Sequence, residues 1–299
     1  MSALDFLLEP FSFDFMQQAF AIGLLVAAAA AALSCLLVLK GWSLMGDAVS
    51  HAVLPGIVLA WLAGVPLLLG AFATGMLCAV STGYIAANSR LKEDAVMGIV
   101  FSGLFALGVA LFTKVETGLH LDHVLFGDLL GVSWRDVALT ASLTVPALLL
   151  VLARRRDLLV FAFDPQHAGV VGLNTTALHY GLLCLLSLVI VASIKAVGII
   201  LVIALLIAPG AIAFLLTDRF ERMMAWAVAL ALLATVVGIW ASYHLDSAPA
   251  PTIVVLLSIV FVFVFLFAPR RGLLRRRKAV GEGDDSTAAS SFPGPPPSS

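Results

Sequence analysis

Residues 178–217 read LHYGLLCLLSLVIVASIKAVGIILVIALLIAPGAIAFLLT, an apolar run about twice as long as an ordinary membrane span. A helix needs about 20 apolar residues to cross the hydrocarbon core of a bilayer, so this run has room for two crossings. We predict that it divides near Lys195 to Gly198, because the Lys195 ammonium can reach the polar interface while its carbon chain stays in the apolar layer.

Composition places the whole chain in the same class of protein. The 299 residues are 62% hydrophobic and 12% charged, with a mean hydropathy of +1.09. Soluble domains are about 45–50% apolar and about 25% charged. The apolar runs have the length of membrane helices and lack the alternation of the ~10-residue strands of a barrel. We therefore predict an all-α, polytopic integral membrane bundle with eight or nine transmembrane helices.

Nine apolar segments are visible along the chain, and the second of them is the least regular. If that segment does not span, the number of crossings falls to eight. The segments are 17–39, 43–64, 66–88, 95–113, 134–153, 178–194, 197–217, 224–242 and 251–268.

The basic residues predict the orientation. With nine spans and a cytosolic C-terminus, the 17 Lys and Arg residues are all cytosolic except Lys114, Arg135 and Lys195. This is the asymmetry that the positive-inside rule requires, and it leaves the N-terminus outside. The predicted organisation is an outer N-terminal segment (1–16), a transmembrane domain (17–271) and a disordered cytosolic tail (272–299). The basic residues around the start of the tail are expected to lie against anionic membrane lipid.

Several function classes are excluded by motifs that the sequence lacks. There is no G-x-x-x-x-G-K-[ST] motif to hold ATP in a P-loop, and no H-E-x-x-H motif of a zinc protease. The net charge of −1 provides no basic surface for nucleic acid. We therefore expect neither an enzyme nor a nucleic-acid-binding protein.

Asp47 and His51 form an ionisable pair inside the second apolar segment, within GWSLMGDAVSHAVLPG, which begins at Gly41. Their i, i+4 spacing places both side chains on one face of a helix. An Asp at the centre of a membrane helix costs about 2.5–3.5 kcal/mol on insertion scales, so it usually faces a cavity or a partner. A carboxylate with an imidazole suits Mn²⁺, Fe²⁺ or Zn²⁺ better than Ca²⁺, Mg²⁺ or Cu⁺. Pro55 and Gly56 are expected to break the helix just beyond the pair.

The spacing alone leaves three interpretations of this pair open: a metal-transit site, a proton relay of an ion-coupled carrier, or a structural hydrogen-bonded pair. One chain supplies two ligands, whereas these metals take about four to six. A symmetric dimer that meets at this helix would supply two Asp and two His side chains.

Two further polar groups are candidates for contacts with an ion or a partner. His120, Asp122 and His123 stand together in an outer loop, which either receives a cation on entry or is a hydrated interfacial loop. Glu93 and Asp94 open the fourth segment, where they either stabilise the helix N-terminus or contact a cytosolic partner.

The inner loop 154–177 contains a predicted short helix. Asp164 and Pro165 have the pattern of an N-cap followed by Pro at the first helical position, and Gly172 and Asn174 give a stop signal. A short amphipathic helix on the cytosolic face is suited to docking into a groove of a partner protein.

Taken together, these stretches resemble the permease subunits of metal-ion ABC importers of the manganese, zinc and iron(II) class, the ABC-3 family. The resemblance covers nearly the whole chain before the tail and is most specific in the stretch from Gly41 to Gly56. Other matching stretches are KEDAVMGIVFS from Lys92, LFGDLLGVS from Leu125 and LLIAPGAIA from Leu205.

The resemblance implies roles for residues and partners. Asp47 and His51 would line the metal pathway, and Asp164, Ala168 and Gly172 would belong to the coupling helix that meets the ATPase. It implies an inner-membrane permease with no permanently bound cofactor, whose cargo is a divalent metal: manganese first, then iron or zinc. Its partners would be a cytosolic ATP-binding subunit, an extracytoplasmic metal-binding protein and a second permease copy.

The alternative from another class is an ion-coupled secondary transporter of a divalent cation. Such a carrier is typically built from inverted internal repeats and works without an ATPase. We see no clear internal repeat in the sequence, which favours the ATP-driven importer.

Overall fold

The computed structural model describes residues 9–114 and 127–268, and within those ranges the chain forms helices joined by short connections. A 3₁₀ turn, Glu9–Ser12, precedes the first α-helix. The helices in chain order are α1 (Asp14–Lys40), α2 (Met45–Ala52), α3 (Leu54–Ala63), α4 (Leu67–Asn88), α5 (Glu93–Lys114), α6 (Trp134–Ala153), α7 (Arg155–Phe163), α8 (Pro165–Val170), α9 (Thr175–Leu216), α10 (Phe220–Leu245) and α11 (Pro249–Phe267).

Eight helices in the described ranges are long and apolar enough to cross a membrane, if α2 and α3 are taken together as one span. The predicted all-α membrane bundle is therefore confirmed. Helix α9 has 42 residues, and at about 1.5 Å per residue it is roughly twice as long as the hydrocarbon core is thick. Its backbone leaves the helical conformation at Gly198, with φ 75° and ψ 168°. This break lies where the sequence predicts that the run divides, and a second crossing by α9 would bring the number of spans to nine.

Helices α1 and α9 form the centre of the bundle. In α1 the run Ala29 to Ala32 is at most 2% exposed, and such small side chains let neighbouring helices approach closely. The Ser34 hydroxyl joins the two helices, because it donates to the Ile207 carbonyl at 3.2 Å and accepts from the Gly210 N–H at 2.9 Å. These bonds flank Pro209, which has no N–H of its own to donate inside α9.

The connection from α1 to α2 fixes where the candidate site begins. Gly41 ends α1 in the left-handed conformation, with φ 78°, and its N–H donates to the carbonyl oxygen of Val38. A non-glycine residue adopts this conformation only at a cost, so Gly41 sets the direction in which the chain leaves α1. Helix α2 follows after three more residues, with Trp42 buried beside it.

Candidate metal-transit site

Asp47 and His51 both lie on the eight-residue helix α2, one in its first turn and the other in its last. The His51 Nδ1 atom is 3.3 Å from Asp47 Oδ1 and 3.0 Å from the Asp47 backbone oxygen. The helix therefore brings an imidazole nitrogen and a carboxylate oxygen together on one face.

The distance between His51 Nδ1 and Asp47 Oδ1 is short enough for both atoms to bind the same ion. Two donor atoms bound at about 2.1 Å, at right angles to each other, are about 3.0 Å apart. A divalent ion could bind between Nδ1 and the carboxylate when Nδ1 carries no proton, because a metal-binding imidazole nitrogen must be unprotonated. The same distance also suits a hydrogen-bonded pair, so exposure and surroundings are needed to choose between the interpretations.

The pair is partly exposed, although most of its helix is buried. The Asp47 side chain is 39% exposed and that of His51 is 26% exposed. The His51 ring packs edge-on against Phe101 and Phe105 of α5, at centroid distances of 6.1 and 5.6 Å. Because a carboxylate that faces lipid is costly, this surface needs water or another protein surface beside it. The buried members of α2 are Met45, Gly46, Ala48, Val49, Ser50 and Ala52.

As a metal site, the Asp47–His51 pair is incomplete within the described part of the chain. Across residues 9–114 and 127–268, no group of three or more His, Cys, Asp or Glu side chains is arranged to hold a metal ion. Asp47 and His51 thus supply two ligands where a transition metal takes about four to six. A metal bound to this pair would need further ligands from beyond the described side chains, such as water, backbone carbonyls or another chain.

A helix interruption follows the pair directly. Helix α2 ends at Ala52 and α3 begins at Leu54, with Pro55 in its first turn. Gly56 is in close contact with Gly70 of α4, since a Cβ on either glycine would overlap the carbonyl oxygen of the other. The interruption thus precedes Pro55, while Gly56 holds α3 against α4.

The inner loop forms the short helix α8 with the cap that the sequence predicts. The Asp164 carboxylate accepts hydrogen bonds from two backbone N–H groups of the first turn, at 2.9 and 3.0 Å. Ala168 is fully buried, whereas Val170 is 85% exposed and Val171 62% exposed. Gly172 then ends the segment with φ 88°. The helix is therefore anchored on one side and presents apolar side chains on the other.

A contact that the sequence did not predict joins the end of α1 to the segment before α8. Lys40 Nζ lies 3.5 Å from the Phe161 carbonyl oxygen and 4.4 Å from the centroid of the Phe161 ring. Trp42 packs edge-on against His179 of α9, with ring centroids 5.1 Å apart. These residues connect α7 and α9 to the turn that leads into α2.

A cavity of about 510 Å³ lies between these elements. Glu93, at the start of α5, lines it together with Lys40, His179 and Pro165, the first residue of α8. Asp94 is exposed. Of the two acidic residues at the start of α5, Glu93 is therefore the one that shares this cavity with Pro165 of α8.

At the other end of the bundle, α6 and α9 are joined by an ion pair. Lys195 Nζ lies 2.5 Å from Asp136 Oδ1, and Ser133 caps α6 through a reciprocal bond with Asp136. From its position in the sequence, Lys195 was expected to reach the polar interface, but its pairing with Asp136 was not predicted. The candidate entry residues His120, Asp122 and His123 fall outside the described residues.

Comparison with known proteins places these features in a family. The model of the ABC 3 transport family matches residues 12–268. The chelated iron transport system membrane protein YfeD of Yersinia pestis is 54% identical over 248 residues, which are 83% of this chain and 84% of the relative. The manganese transport system membrane protein MntB of Synechocystis sp. is 45% identical over 283 residues, which are 93% and 92% of the two chains.

A solved structure shares the fold over most of its length. The structure of PsaBC from Streptococcus pneumoniae in complex with Fab contains a chain that superposes with a TM-score of 0.82 at 34% sequence identity. The match covers 92% of this chain and 99% of that chain.

Proposed function

Because the chain belongs to the ABC 3 transport family, we propose that it is the permease of an importer for a divalent transition metal, with Mn²⁺ the first candidate and Fe²⁺ the second. As a membrane subunit of an ABC transporter, the chain is not itself an enzyme, and ATP is hydrolysed by a separate subunit. Membership of an ABC family also decides against the ion-coupled secondary transporter. The relatives that carry manganese or iron in their names support these two metals, while Zn²⁺ remains chemically compatible with the same donors.

The observation that carries the proposal is the partly exposed Asp47–His51 pair within a membrane span. A purely structural pair gains most when it is buried and fully hydrogen-bonded, since burial strengthens the interaction between its charges. Partial exposure instead leaves the donor atoms accessible to an ion. Transport also requires a site weak enough to release its cargo, and two side-chain ligands per chain meet this requirement better than a closed cage.

We propose that a second permease copy completes the site. Two copies that meet beside α2 would bring two Asp47 carboxylates and two His51 imidazoles to one ion, which satisfies a coordination number of four. The same contact would cover the exposed part of the pair and remove it from lipid. The aromatic rings of Phe101 and Phe105 next to His51 would then border the pathway.

The proposed cycle is alternating access driven from the cytosol. A metal-binding protein delivers the ion at the outer face, Asp47 and His51 hold it in transit, and a separate ATPase acts on α8. The Lys40–Phe161 contact provides a physical link from the α8 segment to the turn before α2. The permease lies in the inner membrane with its N-terminus outside and its C-terminus in the cytosol. The distribution of basic residues supports this orientation.

The test is metal accumulation in cells that express the permease with its native partners, supplied with Mn, Fe and Zn separately and in competition. Metal content is read by mass spectrometry for the wild type, Asp47→Asn and His51→Ala. We expect the wild type to concentrate one metal and both variants to lose this accumulation, although they still insert and bind the ATPase.

Ser50→Ala is the matched control, because Ser50 lies on the same helix, is buried and bonds only to backbone oxygens of α2. This variant should import metal at close to the wild-type level. Normal uptake by Asp47→Asn and His51→Ala would remove the transit-site proposal. No accumulation of any of the three metals by a well-expressed, ATPase-bound wild type would instead point to a chelate as the cargo.

A further inference from the structure

Four arginines line one cavity of about 560 Å³ at the membrane boundary where α6 ends and α10 begins. Arg155 and Arg156 open α7, while Arg219 and Arg222 flank the start of α10. Glu221 is the one acidic residue among those that line the cavity, and it lies 3.5 Å from Arg155. The cavity therefore has an excess of positive charge.

Two helices also begin at this cavity. Helix α7 starts at Arg155 and α10 at Phe220, and at neither N-terminus does a backbone N–H group donate a hydrogen bond to the side chain of the N-cap residue. The first N–H groups of a helix have no partner inside the helix, and the dipole makes this end partly positive. Guanidinium groups match the oxygens of a phosphate in a two-pronged arrangement. The combined chemistry is that of a phosphate-binding site.

An apolar groove of about 320 Å³ continues from this cavity along the membrane span. The two cavities share Arg155, Phe220 and Glu221. Along α10 the groove reaches Val228, about 12 Å from Phe220 at ~1.5 Å per residue, which is within the ~15 Å hydrocarbon depth of one leaflet. Its other walls come from Ala28, Leu148, Leu152, Met224 and Ala225.

We propose that the two cavities form one site for an anionic phospholipid. The headgroup phosphate binds to the arginines and the two helix starts, and an acyl chain occupies the groove between α6 and α10. The surface of a soluble ATPase could meet the arginines but not the groove, because the groove walls belong to membrane spans. The combination of a basic mouth and an apolar groove thus favours a lipid. This inference goes beyond metal transport and holds for any of the candidate metals.

The experiment uses the permease purified with its ATPase and freed of lipid in detergent. Native mass spectrometry and thermal unfolding are recorded with added phosphatidylglycerol, phosphatidylcholine or inorganic phosphate. We expect phosphatidylglycerol alone to be retained and to raise the Tm. In the double variant Arg156→Gln and Arg222→Gln, phosphatidylglycerol should bind about tenfold more weakly or worse.

A second variant tests the groove without a change of charge. Ala225→Phe places a ring in the groove and should also weaken binding of phosphatidylglycerol several-fold. Ala229→Phe, one turn further along α10 and outside the groove, should not. Arg154→Gln is the control for charge, because Arg154 pairs with Asp157 at the same boundary and lines neither cavity.

Three results would overturn the proposal. Equal retention of phosphatidylglycerol by the wild type and both site variants would show that the lipid does not bind here. If inorganic phosphate competed fully with phosphatidylglycerol and bound equally well to the Ala225→Phe variant, the cavity would be a site for free phosphate. Loss of the ATPase from the double arginine variant, with lipid binding intact, would assign the arginines to the subunit interface.

Discussion

Gly127 packs directly against the peptide bond between Val197 and Gly198, where α9 breaks. A Cβ on Gly127 would overlap the atoms of this peptide bond and would lie 2.9 Å from the Ala196 carbonyl oxygen. Both Gly127 and Gly198 have positive φ, at 69° and 75°. The loop before α6 and the middle of α9 therefore depend on the lack of a side chain at both positions.

Gly127→Ala and Gly198→Ala are each expected to destabilise the permease. The first introduces an overlap with backbone, which costs about 1–3 kcal/mol, and the second strains a conformation that only glycine adopts readily, at a similar cost. The measurement is the midpoint of thermal unfolding of the purified transporter. Gly181→Ala in α9 is the control, since nothing lies within 4 Å of its Cβ. Equal midpoints for all four proteins would contradict the close contact.

The ion pair between Asp136 and Lys195 should contribute little to stability. The Lys195 side chain is 73% exposed, and exposed pairs are worth about 0–1 kcal/mol. We expect Asp136→Asn and Lys195→Gln each to lower stability by less than about 1 kcal/mol, with the double variant no worse than either single one. A double-mutant cycle measures this coupling. A coupling of several kcal/mol would mean that the pair is shielded from water in the assembled transporter.

Removal of the α8 cap should weaken coupling to the ATPase. Asp164→Ala deletes a cap worth about 1 kcal/mol, and a helix of six residues is too short to be stable without such support. We expect the variant to insert normally but to retain less ATPase on purification and to import less metal. Asp164→Asn keeps a capping oxygen and should behave like the wild type. Full ATPase retention by Asp164→Ala would show that the cap is dispensable.

The Lys40–Phe161 contact should matter for transport more than for assembly. Lys40→Met keeps a long apolar side chain but removes the ammonium that lies on the Phe161 carbonyl and ring. Such a contact is worth roughly 0.5–1 kcal/mol at an accessible site, so the fold should persist. We expect normal ATPase binding, with several-fold less metal imported per ATP hydrolysed.

Lys92→Met is the matched control for this prediction, because Lys92 is an exposed lysine that precedes α5 and does not line the cavity beside α8. Metal uptake and ATP hydrolysis are measured together in proteoliposomes that contain the assembled transporter. If Lys40→Met and Lys92→Met had the same ratio of metal to ATP, the proposed link would be wrong.

The spans were predictable because each depends on a local property of the sequence. A run of about 20 apolar residues has one stable conformation in a bilayer, and Lys195, which can reach the polar interface, indicates where the run 178–217 divides. The Asp47–His51 pair was equally predictable from the sequence, since residues four positions apart share a helix face. The cap at Asp164 follows from the Asp–Pro pattern for the same reason.

The contacts between distant segments were not predictable in this way. Lys40 and Phe161 are 121 positions apart, and neither residue lies in a pattern that indicates the other. Arg155 and Arg219 served only as indicators of topology in the sequence, and their shared cavity depends on how α7 packs beside α10. The role of Gly56 in contact with Gly70 likewise depends on the approach of two helices, for which the Pro–Gly pattern suggested only a break.

The apolar edge of α8 has a consequence for the biogenesis of the transporter. Phe163, Val170 and Val171 are 67%, 85% and 62% exposed on the face that is proposed to receive the ATPase. Until that subunit binds, a newly inserted permease presents an exposed apolar surface of the kind that chaperones and proteases recognise. Orphan copies should therefore turn over faster than assembled ones, so that the cell matches the amounts of the two subunits by degradation.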